Sequence, residues 1–294
     1  MEKAKVYFSS NISEEELVKL YDKLDVKLKG KVAVKVHSGE EGNQNYLHPE
    51  FLRKIVEHVN GTIVECNTAY EGKRNTTEKH KKLIESHGWN KYFDVDIMDA
   101  DGESIKLDIP NGKVLKENYC GKNLKNYDSL LVVSHFKGHP MGGYGGALKQ
   151  LSIGCASSEG KAYIHSGGRT KDQYNLWNDL PEQKVFLQAM ADSASSVTDY
   201  FKGNIVFINI MCNMSVDCDC CSVAEDPCMK DIGVLASTDP VAIDKACIDL
   251  VMSSSDPGKE HFMERVSSRQ GTYTIDAAET LGVGSTDYIL IPID

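Results

Sequence analysis

An α/β fold, with helices on both faces of a mainly parallel sheet, is predicted by three features of this 294-residue sequence. Short apolar segments alternate with amphipathic segments of helical length through the N-terminal half, which is typical of βαβ units. Residues that cap helices stand before several amphipathic segments. Hydrophobic residues make up 41% of the chain, which is enough to bury a core.

The N-terminal elements are expected as strand, helix, strand, helix, strand and helix. In order, they are KVYFSS, SEEELVKLYDKL, KVAVKVH, HPEFLRKIVEHV, GTIVECNT and TTEKHKKLIESHG. Ser13 and Glu16 have the spacing of a capping box, and Thr76 or Thr77 precedes the helix that contains His80. Repeated strand and helix segments of this kind form right-handed crossovers on a parallel sheet.

The pattern changes between residues 94 and 124. Short segments are separated there by DADGES, PNGK and CGKN, which are typical of turns and predict a small antiparallel element. We therefore divide the chain into an N-terminal α/β lobe, residues 1–124, and a C-terminal α/β lobe, residues 125–294. One continuous domain is the alternative.

The C-terminal half resumes the earlier pattern with strands, one glycine loop and two long helices. Its segments, in order, are SLLVVSHFKGH, GGYGGALKQLSIG, QKVFLQAMADSASSVTDYF, NIVFINIM and DIGVLASTDPVAIDKACIDLVM. Functional residues of open α/β sheets gather on loops at the carboxyl ends of the strands. We expect VHSGEEGN, SHFKGHPMGGYGGALK and NMSVDCDCC to converge at that edge.

Composition limits the class of partner. A net charge of -10 argues against nucleic acid, because binding to phosphates depends on Lys and Arg. No apolar run approaches the roughly 20 residues of a membrane helix, and the N-terminus lacks a signal-peptide segment, so a cytoplasmic protein is expected. The expected partner is a small molecule or a redox protein, and the sequence leaves the oligomeric state open.

Four of the nine cysteines fall in DCDCCSVAEDPC, residues 217–228. A reducing compartment and an odd count argue against disulfides. In extended backbone Cys218 and Cys220 point the same way and can share one ion, and thiolates select zinc, copper(I) or iron-sulfur clusters. The spacing matches neither zinc knuckles nor bacterial ferredoxins. Redox-active thiols and ordinary loop cysteines are the alternatives.

Further ligands must come from other loops, and histidines are the obvious source. His135 and His139 flank FKG after a predicted strand, and His37 ends KVAVKVH close to Glu40. Each of these histidines could instead be a buried structural residue.

The glycine loop ahead of a helical segment is a candidate anion or cofactor site. Glycines allow close backbone approach, and amides at a helix N-terminus attract anions. Lys149 could act there as a base or nucleophile. A turn without a ligand and a surface lysine are the alternatives. The candidate glycines are Gly142, Gly143, Gly145 and Gly146.

Several stretches resemble the family called domain of unknown function 362, whose members are described as iron-sulfur-centre proteins. The stretches are VKVHSGEEGNQNYLHPEF, NTAYEGKRNTTEKH, SHFKGHPMGGYGGALKQLSIGCASSEGK and DCDCCSVAEDPCMKDIGVLASTDPVAIDKA. Many members carry an inserted ferredoxin module, but the matching region here, SGGRTKDQYNLWNDLPEQK, has no cysteine. The family pattern retains Cys218 and Cys220, whereas Cys221 and Cys228 are additions.

A shorter similarity joins GHPMGGYGGALKQLSIG to the lactate racemase family. This resemblance implies that Lys149 anchors a nickel-bearing nucleotide and that His135 or His139 lies near the metal.

These features together predict an iron or iron-sulfur redox protein or oxidoreductase. The predicted metal ligands are Cys218, Cys220, His135 and His139, and the predicted catalytic residues are Lys149, His37, Glu40 and His80. The glycine loop is predicted to bind the cofactor, and zinc or nickel are the other candidate metals. The alternatives are a racemase-like isomerase dependent on a nickel nucleotide and a noncatalytic metal or thiol sensor.

Overall fold

The computed structural model describes residues 3–294, in which strands and helices alternate along most of the chain. The strands are β1 (Ala4–Ser9), β2 (Val32–Lys35), β3 (Gly61–Glu65), β4 (Val95–Ile97), β5 (Ser104–Asp108), β6 (Glu117–Gly121), β7 (Ser129–His135), β8 (Lys137–His139), β9 (Gly143–Gly145), β10 (Ile205–Met211), β11 (Gly233–Ser237) and β12 (Tyr288–Pro292). The helices are α1 (Glu14–Lys23), α2 (Arg53–His58), α3 (Thr77–Ser86), α4 (Ala147–Lys149), α5 (Ser158–His165), α6 (Gln183–Tyr200), α7 (Pro240–Ser253), α8 (Lys259–Ser268) and α9 (Tyr273–Thr280).

One sheet of eight strands organises the molecule, in the order β12-β1-β11-β10-β7-β2-β3-β4. Strand β11 runs antiparallel to both of its neighbours, and the remaining pairs are parallel. The predicted α/β fold with a mainly parallel sheet is confirmed. Strands from both predicted lobes share this sheet, because β2 pairs with β7.

The sheet separates two apolar layers. Leu130 and Val132 of β7 face the layer that contains buried residues of α6 and α7, whereas Leu131 and Val133 face the layer formed with α1 and α2. Alternation of this kind follows from the two-residue period of a strand. Because both faces are covered, every residue of β7 is buried.

The segment 94–124 was predicted to form a small antiparallel element, and β5 and β6 form that pair. Strand β4 differs, because it joins the edge of the large sheet parallel to β3. The buried side chain of Ile97 packs in the same apolar layer as Ile63. This packing favours the position of β4 at the edge of the large sheet.

The predicted start of α1 is confirmed only in part as a capping box. Ser13 Oγ accepts a hydrogen bond from the Glu16 amide at 3.2 Å, but the Glu16 carboxylate pairs with Lys19 instead of returning to Ser13. Among the described helices, none has both the length and the apolar content needed to cross a membrane.

Candidate metal centre

The loops that follow β2, β7 and β10 meet at one edge of the sheet. These three strands lie side by side and parallel, so their carboxyl ends coincide. The Glu40 amide donates to the Asp219 carbonyl at 2.9 Å, and Asn43 Nδ2 donates to the Cys221 carbonyl at 2.9 Å. The Gly138 amide donates to the Ser215 carbonyl at 2.8 Å. The predicted convergence is therefore confirmed.

Two thiols and one imidazole come together where these loops meet. One ligand atom each from His139, Cys218 and Cys220 lies within 4.8 Å of the other two. His139 Nε2 is 3.9 Å from Cys220 Sγ, and the Cys220 amide is 3.4 Å from Cys218 Sγ. These three residues form a group that could hold a metal ion, as the sequence predicted for each of them.

His139 is oriented by the turn that follows it. Its Nδ1 accepts hydrogen bonds from the amides of Met141 at 3.2 Å and Gly142 at 2.8 Å. The neutral ring therefore carries its proton on Nε2, on the side of the sulfurs. Burial lowers the pKa of His139 to about 4, and the Lys149 ammonium acts in the same direction. The imidazole is neutral at neutral pH.

Cys218 is fully buried, and Lys149 Nζ lies 3.5 Å from its sulfur. Burial by itself would raise the pKa of the Cys218 thiol, but the hydrogen bond from Cys220 and the charge of Lys149 hold that pKa well below its usual range. The pKa of Cys220 is raised because this thiol donates the shared hydrogen bond. The pair thus favours one thiolate and one thiol.

Asp219 stands between the two cysteines in a turn, where the Cys221 amide donates to the Cys218 carbonyl at 2.9 Å, and not in the expected extended backbone. Its Oδ1 lies 2.8 Å from His135 Nδ1, and its Oδ2 lies 2.8 Å from Lys137 Nζ. Burial would raise the pKa of Asp219, but the charges of His135 and Lys137 lower it well below its usual range. The acidic residue therefore anchors the loop through its two buried partners.

His135 was predicted as a metal ligand, and the structure places it in this ion pair instead of among the thiols. Its Nε2 lies 2.6 Å from the Cys212 carbonyl, and its Nδ1 faces the Asp219 carboxylate. Both ring nitrogens face acceptors, so both need a proton and neither offers a lone pair to a metal.

A cavity of about 70 Å³ lies beside the three-residue group. His139 and Cys220 form part of its wall, as does Lys149. Most of the polar lining gives little signal in the sequence. Lys161 and His165, for example, stand four residues apart on α5 and share only one helical face. The polar residues of the wall that the sequence analysis did not select are Lys35, Glu65, Thr68, Tyr70, Arg74, Gln150, Lys161 and His165.

The other predicted catalytic residues have different positions. His37 lines the cavity, and burial together with the Arg74 charge keeps its pKa well below the usual range. Glu40 lies outside the lining and pairs with Arg74 Nε at 3.2 Å. His80 is fully buried behind the wall, 3.3 Å from Ser38 Oγ, and burial lowers its pKa to about 3.

The glycine loop packs against the protein itself. The carboxylate of Asp244 accepts hydrogen bonds from the amides of Ala147 at 2.7 Å and Leu148 at 3.0 Å, so an internal anion occupies the helix start predicted for a cofactor. A Cβ on Gly146 would lie 2.5 Å from Asp244 Oδ1, so the absence of a side chain there serves internal packing. The four loop glycines are absent from the cavity lining.

The ligand set fits a single ion better than a cluster. Iron-sulfur clusters are commonly held by four thiolates, whereas the group within mutual reach has two sulfurs and one nitrogen. Cys228 is turned toward the Met214 carbonyl, 3.2 Å from its sulfur. All nine cysteines are free, and the predicted iron-sulfur cofactor has no confirmation here.

Comparisons with solved structures show similarity to two larger proteins. The lactate racemase apoprotein from Thermoanaerobacterium thermosaccharolyticum is 18% identical with a TM-score of 0.41, and the match covers 71% of this chain and 51% of that one. A protein from Thermotoga maritima is 12% identical with a TM-score of 0.42, and the match covers 91% of this chain and 58% of that one. The chain thus spans between half and three fifths of the length of these relatives.

Comparison of the sequence with family models identifies the family of this chain. No curated protein matches the chain. The model of the family Domain of unknown function (DUF362) matches residues 32–249, which is well over half of the sequence and includes every residue of the candidate centre. The chain belongs to the DUF362 family.

Proposed function

We propose that this chain is a metal-dependent enzyme in which Cys218, Cys220 and His139 hold one thiophilic metal ion beside a cavity. The observation that carries this proposal is the shared position of the three ligand atoms, all within 4.8 Å of one another, and the cavity wall that two of the residues help to form. A set of three protein ligands leaves a coordination position open, as in catalytic zinc sites.

The cavity favours an enzyme over an electron-transfer protein. Electron transfer needs a buried centre of suitable potential, whereas catalysis also needs space for a substrate next to the metal. The bound ion would supply Lewis-acid or one-electron chemistry at that position. Iron, the metal predicted from the sequence, is suited to one-electron chemistry, and zinc or nickel is suited to Lewis-acid chemistry.

Residues of the chain itself would hold charge and exclude water at this centre. Lys149 offsets the charge of the Cys218 thiolate across 3.5 Å. The ion pairs of Asp219 with His135 and Lys137 would hold in place the loop that carries both sulfurs. Apolar side chains on the wall, including Ile153 and Leu176, limit access of solvent.

A second candidate function is thiol chemistry without a metal, and the orientation of His139 favours it. A histidine that binds a metal through one nitrogen normally donates a hydrogen bond from the other. Here Nδ1 accepts two amide hydrogen bonds, so the Nε2 proton points toward the sulfurs. Metal binding through Nε2 would require the amides of Met141 and Gly142 to turn away.

Elemental analysis of protein purified without oxygen tests the first proposal. The wild type should carry a transition metal in close to equal amount with the chain. The double variant Cys218→Ala/Cys220→Ala should lose this metal, while Cys228→Ala, in the same loop but outside the group, should keep it. Equal metal in all three proteins would place the ion elsewhere.

Two further measurements separate the alternatives. Metal-free wild type whose Cys218 or Cys220 reacts faster with iodoacetamide than the other cysteines would favour thiol chemistry. A covalent mass increase at Lys149 would favour the alternative with a nickel nucleotide. Colourless, metal-free protein with unreactive thiols would contradict all three functions.

A further inference from the structure

We propose that the cavity beside the thiol pair binds a small oxyanion, a carboxylate or a phosphate, and that Lys161 is its main charged contact. The inference rests on the proposed function, because it takes this cavity as the chamber in which a ligand meets the metal. It adds the chemical class of that ligand and the residue that recognises it.

Lys161 is a buried lysine without a direct ion pair. Its side chain is only 7% exposed, and Nζ donates to the Ala156 carbonyl at 2.6 Å. Burial lowers the pKa of this ammonium, while the carboxylates of Asp99 and Glu65 act from farther away to raise it. A buried charge is costly unless it is paired and hydrogen-bonded, and a lysine ammonium has three protons to donate. One carbonyl leaves two of those protons for a ligand.

The other cations of the wall are already matched. Lys35 Nζ pairs with Glu65 Oε2 at 2.7 Å, and Arg74 Nε pairs with Glu40 Oε2 at 3.2 Å. Lys149 faces the Cys218 sulfur. After these pairs are removed, Lys161 is the cation of the lining that has no direct ion pair, and the charges of Asp99 and Glu65 reach it only from farther away. An anionic ligand would supply that direct contact.

His165, the wall residue next to Lys161 on α5, adds no charge to the cavity. It lies one helical turn after Lys161 on α5, and its Nδ1 is 2.7 Å from the Lys161 carbonyl, so Nδ1 carries the proton and Nε2 the lone pair. Its ring stacks on Phe186 with the centroids 5.2 Å apart. Lys161 must therefore provide the attraction for an anion, and His165 provides a neutral wall.

The volume restricts the size of the ligand. A cavity of about 70 Å³ is about half the size of the roughly 150 Å³ cavity that accepts benzene in an engineered protein. Acetate or inorganic phosphate has a suitable size. A nucleotide would have to extend out of the cavity.

Calorimetric titration of acetate and of inorganic phosphate into the protein tests this proposal, with acetamide as the neutral analogue of acetate. At constant ionic strength, we expect binding of at least one anion and none of acetamide. The anion that binds identifies the ligand as a carboxylate or a phosphate. Lys161→Met should weaken binding about tenfold or more, since hydrogen bonds to charged groups are the stronger ones.

Further variants serve as controls for the effect of Lys161→Met on anion binding. Lys82→Met, at an exposed lysine outside the cavity, should retain the anion affinity, and Lys161→Arg, which keeps the charge, should retain most of it. Circular dichroism and thermal unfolding would show whether Lys161→Met folds. If it does not fold, loss of binding in Lys161→Gln with retention in Lys161→Arg supports the same conclusion.

The double variant Cys218→Ala/Cys220→Ala distinguishes failure of this proposal from failure of the proposed function. Anion binding that survives in this variant supports Lys161 as the contact, whether or not the wild type holds a metal. Binding that disappears with the two cysteines would assign the anion to the metal and overturn the proposal. Equal affinities in wild type and Lys161→Met, or no binding of either anion, would also overturn it.

Discussion

The carboxylate of Asp219 lies 2.8 Å from His135 Nδ1, and the two side chains are each only 1% exposed. Asp219 lies between Cys218 and Cys220 in a turn, in which the Cys221 amide donates to the Cys218 carbonyl at 2.9 Å. The ion pair therefore fixes the position of the residue between the two thiols.

Asp219→Asn should lower the free energy of unfolding by about 3–5 kcal/mol, because removing one partner of a buried pair leaves the His135 and Lys137 charges uncompensated. Urea unfolding followed by circular dichroism would measure the change. The control is Glu78→Gln in the exposed pair with Lys82, which should leave stability unchanged. Similar small effects for both variants would show that the buried pair does not anchor the loop.

Gly146→Ala should destabilise the protein by about 1–3 kcal/mol, since its Cβ would lie 2.5 Å from Asp244 Oδ1 and displace the carboxylate from the amides of Ala147 and Leu148. Gly72→Ala is a suitable control, because there the nearest atoms are at 3.6 Å, an ordinary contact. The same urea experiment measures both variants. A stable Gly146→Ala protein would mean that the loop has room for another ligand.

Acid should destabilise the fold through its buried neutral histidines. Burial lowers the pKa of His80 to about 3 and that of His165 to about 4, whereas an unfolded histidine titrates near about 6.5. As the pH falls below about 6.5, the unfolded state binds protons first, so the free energy of unfolding falls by up to about 1.4 kcal/mol per pH unit for each histidine.

Asp244 acts in the opposite direction, because burial raises its pKa to about 6. The difference in stability between wild type and His165→Gln removes this contribution, which both proteins share. We expect the difference to shrink between pH 6.5 and 4, measured by urea unfolding at each pH. Parallel curves would show that His165 titrates normally.

Two of the three cavity histidines, His139 and His165, should carry their protons on different nitrogens. His139 accepts amide hydrogen bonds at Nδ1, and His165 directs Nδ1 at a carbonyl 2.7 Å away. Long-range proton-nitrogen spectra of metal-free protein should therefore show the Nε2-protonated form for His139 and the Nδ1-protonated form for His165. The variants His139→Gln and His165→Gln assign the signals. Identical tautomers would remove the argument for thiol chemistry without a metal.

Addition of metal extends this experiment. A metal bound through Nε2 of His139 must displace the proton there, so the His139 pattern should change while that of His165 stays the same. No change at His139 in a protein that has bound metal would exclude this histidine as a ligand.

Several parts of the site could be predicted from the sequence because they depend on local periodicity. The loops after β2, β7 and β10 meet because parallel strands end at one edge. The expected extended backbone at Cys218 and Cys220 was wrong, because the two sulfurs come together in a turn closed by the Cys221 amide and the Cys218 carbonyl. The helix starts at Ser13 and Thr76 depend on nearby polar side chains, and both are present. These features need only the immediate neighbours along the chain.

Long-range pairing decided the rest. Both His135 and His139 were predicted as ligands from the sequence. His135 pairs with Asp219, which is more than 80 residues away along the chain, whereas His139 lies beside the thiols. The Asp244 carboxylate reaches the glycine loop from nearly 100 residues away. Lys161 is proposed as an anion contact because Lys35 and Arg74 each form an ion pair with a carboxylate, whereas the carboxylates near Lys161 act on it only from farther away. Chain periodicity determines which way a side chain points, but the balance of buried charge depends on which residues the complete fold brings together.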